Sequence, residues 1–297
     1  MVNLVLIFNK DCRFLRQLEY MIFPRALAVA ELAWTSSPRR NYPDFLARLR
    51  MQKNLLRRLG VHAADNFDEV RSASFMATPA GVRVMLQRSL PDATIHFTTN
   101  GDLPSLKSNI YNDSLVLKNS CVLQARLYDK TRHPTGRVYR QKISVHMATG
   151  RTVWLKNKPV ARFNTDPGAL VNGIEGNSRY NNGQWVGFGG DNLEAIIDLG
   201  SIQTLHSIRM HFLNYHWQRM WAPELLELYV SKDSVNYTNV FTRKQFTVNG
   251  INEVIAVLQS IKAKYIKITA RNKGIIPEGE YDAGNKALLM VDEIAVN

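Results

Sequence analysis

The sequence predicts a mainly β protein behind a helical N-terminal segment, and three observations carry that prediction. Up to about Leu59 the apolar residues recur at helical spacing. After Val70 their period falls to 2, and from Val153 onward short alternating stretches are separated by Gly- and Asn-rich loops. The 297 residues are 45% hydrophobic and 21% charged, which is a globular balance and excludes intrinsic disorder.

Residues 1–18 form an unmatched leader. Its apolar opening, Met1–Phe8, has no basic flank and breaks at Asn9-Lys10-Asp11, so no signal peptide is expected. No stretch approaches the ~18 apolar residues of a membrane helix. Residues 19–74 hold two helices. The first covers 19–35, with Pro24 in its first turn and Phe23, Leu27, Ala30 and Trp34 on one face. The second runs from an Asp44 N-cap to Leu59, with Gly60 as C-cap and a stripe of Phe45, Leu49, Leu56 and Leu59. A polar connector, Asn66–Ser74, follows.

Residues 75–150 read as a small antiparallel β domain. Its strands contain Val82/Val84/Leu86, Ile95/Phe97, Cys121/Leu123/Ala125/Leu127 and Tyr139 through Met147, with a turn at Asn100-Gly101. Residues 151–297 read as a β-sandwich, with strands at 195–199, 204–213, 225–231, 265–270 and 288–296. Cys12 and Cys121 are too few for a disulfide framework or a zinc site, and Cys121 reads as a buried small hydrophobe.

The net charge is +13. The excess falls on residues 1–150, with 22 basic against 11 acidic residues, while 151–297 carry 16 against 14. No dense Lys/Arg block or RNA-binding aromatic motif accompanies it, so the charge reads as a solvated surface and no nucleic-acid partner is expected.

Three consecutive segments carry resemblances. Glu19 to Thr35, with Phe23-Pro24-Arg25 and Ala30-Glu31-Leu32-Ala33-Trp34 in order, resembles the last barrel helix of family 20 glycoside hydrolases, the β-N-acetylhexosaminidases. Asp44–Leu49 with Leu59-Gly60-Val61 resembles the closing helix of that barrel. Leu90–Gly101 and its sequel resemble the family's small chitobiase/hexosaminidase C-terminal β domain. Leu170–Gly176, Gln184–Phe188 and Leu193–Gly200 are similar to a discoidin-like (factor V/VIII C-type) module.

The resemblance implies a mainly β chain made of two helices left from an incomplete (β/α)8 barrel, a small β domain and a discoidin-like sandwich. Family members precede the first helix with a strand ending Trp-Thr-Glu-Tyr, where Met1–Leu18 stands here. A late start codon, a frameshift or a real loss would each produce this leader. The family's catalytic Asp-Glu pair lies upstream of everything matched, so the chain is expected to be inactive alone. The parent family is periplasmic or secreted. The alternative reading is a stand-alone, lectin-like carbohydrate-binding protein.

Two acid pairs remain. Asp68-Glu69 falls in the connector and Asp292-Glu293 in the final strand, and neither has a barrel mouth to raise a carboxyl pKa. The histidines form no H-E-x-x-H pair, and His206 and His211 face opposite sides of a strand. There is no G-x-S-x-G elbow or phosphate loop, so no catalytic residues are assigned.

For binding, the discoidin-like resemblance points to loops at one end of the sandwich. Tyr215, His216, Trp217, Arg219 and Trp221 combine aromatic faces with polar donors, the chemistry that holds a pyranose. The competing reading packs Trp217 or Trp221 inside the sandwich or against its neighbour. Trp185 and Phe188 read as core. The resemblance also implies a structural calcium, held by Val171, Asn172, Asn177, Ser178 and Glu293, with Asn172 standing where the family has Asp. Expected partners are glycans containing N-acetylhexosamine or galactose-type sugars, together with self-association through the helix stripes around Phe23, Leu27, Leu49 and Leu56.

Overall fold

The computed structural model describes residues 15–64, 69–90, 92–246 and 249–297, without the side chains of Ser72 and Ala73. Cys12, Asp68 and most of the leader lie outside the described residues. The chain divides into two compact units that meet between Asp68 and Glu69.

The first unit is helical: α1 (Leu15–Ile22), α2 (Arg25–Trp34) and α3 (Tyr42–Arg58). The single helix expected over 19–35 is broken at Phe23-Pro24. Proline has no N–H to donate and pushes the preceding residue out of the helical region. The expected Asp44 N-cap is also corrected. Asn41 caps α3, its Oδ1 accepting from the Asp44 amide at 3.2 Å, while Asp44 pairs one turn on with Arg48. Arg48 also reaches Glu31 of α2 with two bonds of 2.9 and 2.8 Å. Gly60 follows α3 in the left-handed conformation. Of the two stripes only Leu49 is buried; Trp34 and Leu59 are 89% and 68% exposed.

The second unit opens with two sheets. Strands β1 (Val70–Thr78), β2 (Gly81–Arg88) and β5 (Leu115–Leu117) make one, in the order β1-β2-β5. The other is ordered β4-β3-β6-β7, with β3 (Thr94–Thr98), β4 (Asn109–Tyr111), β6 (Cys121–Tyr128) and β7 (Pro134–Ile143). All pairings are antiparallel. Their inner faces share one core of Val82, Val84, Leu86, Ile95, Leu123, Ala125, Leu127 and Ile143, the residues that alternation selects.

Three expectations shift here. The connector becomes strand from Val70. The turn at Asn100-Gly101 opens a ten-residue loop, 99–108, rather than a tight hairpin. The last strand stops at Ile143, leaving Val145 and Met147 in the connection to the next sheet. Cys121 is half-buried.

The remaining strands are β8 (Thr152–Leu155), β9 (Val186–Gly189), β10 (Leu193–Asn214), β11 (Leu225–Ser231), β12 (Thr238–Arg243), β13 (Gly250–Arg271), β14 (Leu288–Val291) and β15 (Ala295–Val296). The stretches expected at 195–199 and 204–213 are one strand, β10, interrupted by irregular register between Asp198 and Gln203. Its first half pairs with β8 and with the second half of β13, which continues to β11 and β12. Its second half pairs with the first half of β13, and with β14 and β15.

The two layers close on a common core of Ala195, Ile197, Leu205, Ile208, Met210, Phe212, Leu228, Ile266 and Ile268. Each large side chain removed from water there contributes about 1.5–3 kcal/mol. Phe188 and Trp185 are fully buried. Among the described residues no helix is long and apolar enough to cross a membrane.

Candidate functional site

Strand β10 ends at Asn214 and the chain turns over six residues. Tyr215 and Met220 exchange backbone bonds of 2.9 and 3.0 Å. Between them lie a 3-10 turn at His216–Gln218 and Arg219 in the left-handed conformation, φ 62°. Met220 is buried in a small cluster with Trp185, Leu213 and Met290, so the turn stands on a packed base.

The five candidate residues come together here but differ in availability. Trp217, at the tip, is 58% exposed, its ring tilted at 37° to Tyr215 with centroids 6.0 Å apart. His216 stacks flat on Trp221 at 3.6 Å, so one face of that indole is covered. The Trp221 indole N–H is buried without a hydrogen-bond partner. The Lys273 ammonium lies 5.9 Å from the Trp221 ring. Tyr215 is half-buried and packs on the base cluster.

Residues that sequence reasoning missed surround this turn. Arg219 Nε lies 3.1 Å from Asp282 Oδ2, and His216 Nδ1 lies 3.6 Å from Glu280. From the other side Tyr180 donates its hydroxyl hydrogen to Gln218 Oε1 at 2.9 Å. Tyr180 also lines a groove of about 350 Å³ with Arg162, Phe163, Asn164, Asn181 and Trp185. Only complementary charge, with acids at 280 and 282 against bases at 216 and 219, could have linked these loops in sequence. The result is one exposed aromatic face beside polar groups that meet neighbouring carboxyls. Such a site can hold the C–H face of a neutral ring and hydrogen-bond its edge.

The residues expected around calcium are differently placed. Asp292 and Glu293 are both buried and lie between β14 and β15, which corrects their placement within the final strand. Burial pushes both acids up. Glu293 Oε1 lies 2.6 Å from His146 Nε2 and accepts from the Gly173 amide at 2.9 Å, and Oε2 accepts from Ile174 at 3.3 Å. Asp292 Oδ2 lies 3.0 Å from His211 Nδ1 and accepts from the Gly176 amide at 2.8 Å.

The other candidate ligands are engaged as well. The Val171 carbonyl accepts from Gly150, Asn172 Oδ1 from Ile174, and Asn177 Oδ1 from Arg179, while Ser178 is exposed. Calcium needs six to eight converging oxygens. Here the one acidic candidate meets nitrogen donors instead, so these residues do not fit the ion. Among the described residues no cluster of three His, Cys, Asp or Glu could hold a metal.

Comparison with known proteins bears on the same segments. Residues 159–290 match the F5/8 type C domain. Residues 77–149 match the chitobiase/beta-hexosaminidase C-terminal domain. The F5/8 type C segment therefore holds every candidate carbohydrate-binding residue, while Glu293 lies just beyond it. Solved structures similar to the chain include chitosan-binding module 1 of a chitosanase/glucanase from Paenibacillus sp. IK-5. That match has 18% identity, covers 52% of this chain and 98% of that one, and has a TM-score of 0.35. A Clostridium perfringens module solved with GlcNAc-alpha-1,4-galactose is 16% identical over 52% and 94%, TM-score 0.36. A Streptococcus pneumoniae fucose-binding module is 15% identical over 52% and 97%, TM-score 0.36. No curated protein matches the chain. The self-association expected through the helix stripes gains no support among the described residues.

Proposed function

We propose that this chain is the non-catalytic C-terminal part of a β-N-acetylhexosaminidase, and that its F5/8 type C segment binds glycans through the 215–221 turn. The exposed Trp217 ring, at the tip of a turn closed by the Tyr215–Met220 backbone bonds, carries the binding half of this reading. The chitobiase/beta-hexosaminidase match over 77–149 supports the enzyme half. Terminal N-acetylhexosamine or galactose-type sugars would lay their apolar face on Trp217, with Arg219 and His216 within reach of ring hydroxyls.

Isothermal titration with N-acetylglucosamine and galactose oligosaccharides tests the binding. Saturable binding is expected in the intact chain, with at least a tenfold loss in Trp217→Ala, since stacking on one aromatic is worth about 0.5–1.5 kcal/mol beyond its buried area. Equal affinity in the two proteins would remove the turn from the site. No turnover of a chromogenic N-acetylglucosaminide is expected; a rate above the uncatalysed background would overturn the non-catalytic assignment.

A further inference from the structure

The segment 172–176 follows the 3-10 turn Pro167–Val171 and belongs by sequence to the F5/8 type C segment. In space it is inserted between the two β domains. Ile174 is buried in the core formed by β2, β3, β6 and β7. Gly173, at φ 78°, passes so close that a Cβ there would lie 2.8 Å from Val82 Cγ2 and 2.9 Å from the Ser144 carbonyl. The Gly173 carbonyl accepts from the Ser144 amide at 2.8 Å. Glu175 binds Lys142 of β7 at 3.0 Å and Arg209 of β10, so it ties a strand of each domain.

The amides of this segment point at two adjacent acids. Glu293 takes those of Gly173 and Ile174, and Asp292 takes that of Gly176. Each acid also holds one imidazole, Glu293 that of His146 and Asp292 that of His211. His146 lies in the connection after β7 and His211 in β10. A buried carboxylate is tolerated only when donors surround it, and here backbone amides and a histidine do so for both.

We infer that Asp292 and Glu293, each with its histidine, form a metal-free clasp that fixes segment 172–176 and locks the two β domains into one unfolding unit. The clasp takes up Glu293, the acidic residue named for a loop-pinning calcium, with nitrogen donors where the ion would need oxygens. It holds whatever ligand the 215–221 turn takes.

Differential scanning calorimetry of the full chain, with excess calcium chloride and with excess EDTA, tests the inference. The expected melting temperature is the same in both. Glu293→Gln and His146→Gln should each lower it by roughly 6–20 °C, as the loss of one partner of a buried pair does in a domain pair of this size, and added calcium should restore none of the loss. Saturable calcium binding that raises the melting temperature of the intact protein would overturn the inference, as would unchanged melting in both variants. Should the variants fail to fold, hydrogen exchange in the intact protein decides. The Gly173, Ile174 and Gly176 amides should exchange together with the β6 and β10 core, and loop-like exchange at those three refutes the clasp.

Discussion

Trp185 and Trp217 sit on neighbouring loops joined by the Tyr180–Gln218 hydrogen bond, yet one is 1% exposed and the other 58%. Trp185 has a pocket made for it. Its indole N–H donates to the Asn177 carbonyl at 2.9 Å, and Gly176 leaves room for the ring, because a Cβ there would lie 2.6 Å from the indole. Trp217 has no such pocket; its turn is closed by the Tyr215–Met220 backbone bonds. A large aromatic that the fold uses is therefore distinguished from one that the fold merely displays, and only the second is free for a ligand.

The largest expected effect breaks the comparison on the buried side. Trp185→Ala should cost about 3–5 kcal/mol in urea unfolding, the usual loss for emptying a core aromatic site. Gly176→Ala, which crowds the same ring without removing it, should cost about 1–3 kcal/mol. A cost under half a kilocalorie for either would mean that the loop repacks freely, and the distinction would fail.

Next comes the pH dependence of the segment behind Trp185. Burial works against a charged His211, but the Asp292 carboxyl outweighs it and the imidazole is raised above its ordinary 6.5. The native state thus holds this proton more tightly than the unfolded chain. Its stabilisation is fully present below pH 6.5 and is lost as pH rises through the raised native value, by no more than about 1.4 kcal/mol per pH unit for one proton. His211→Gln should flatten that part of the stability profile. An NMR titration placing the imidazole below 6.5 would reverse the sign. The smallest effect belongs to Trp217→Ala, whose unfolding free energy should stay within about 0.5 kcal/mol of the parent.

Much of the fold was legible from local pattern. Period-2 alternation marked β2 and β11, because each buries one face on a single core. Nothing local announces that β10 and β13 each extend over 22 residues and serve two layers; Gly200, at φ 83° within the β10 irregularity, reads in sequence as the end of a strand. The Pro24 break was readable in principle, but the strong apolar face on either side of it masked the interruption. The turn around Trp217 was visible because its aromatics are contiguous. Its acidic partners at 280 and 282 were not, nor were the histidines of the acid pair, which lie 81 and 147 positions away in the chain. Sequence offered Asp292-Glu293 only a calcium-ligand role for Glu293, because the amides and imidazoles that engage the pair arrive through tertiary structure.

Ile174 gives the chain one further property. The residue is counted with one domain by sequence and with the other by packing. A recombination event that moved the sandwich alone would carry this side chain away, leaving a hole in the donor and an unsheltered isoleucine in the recipient. A cut that leaves both cores whole therefore falls before Val70, at the division between the two compact units, rather than between the two β domains.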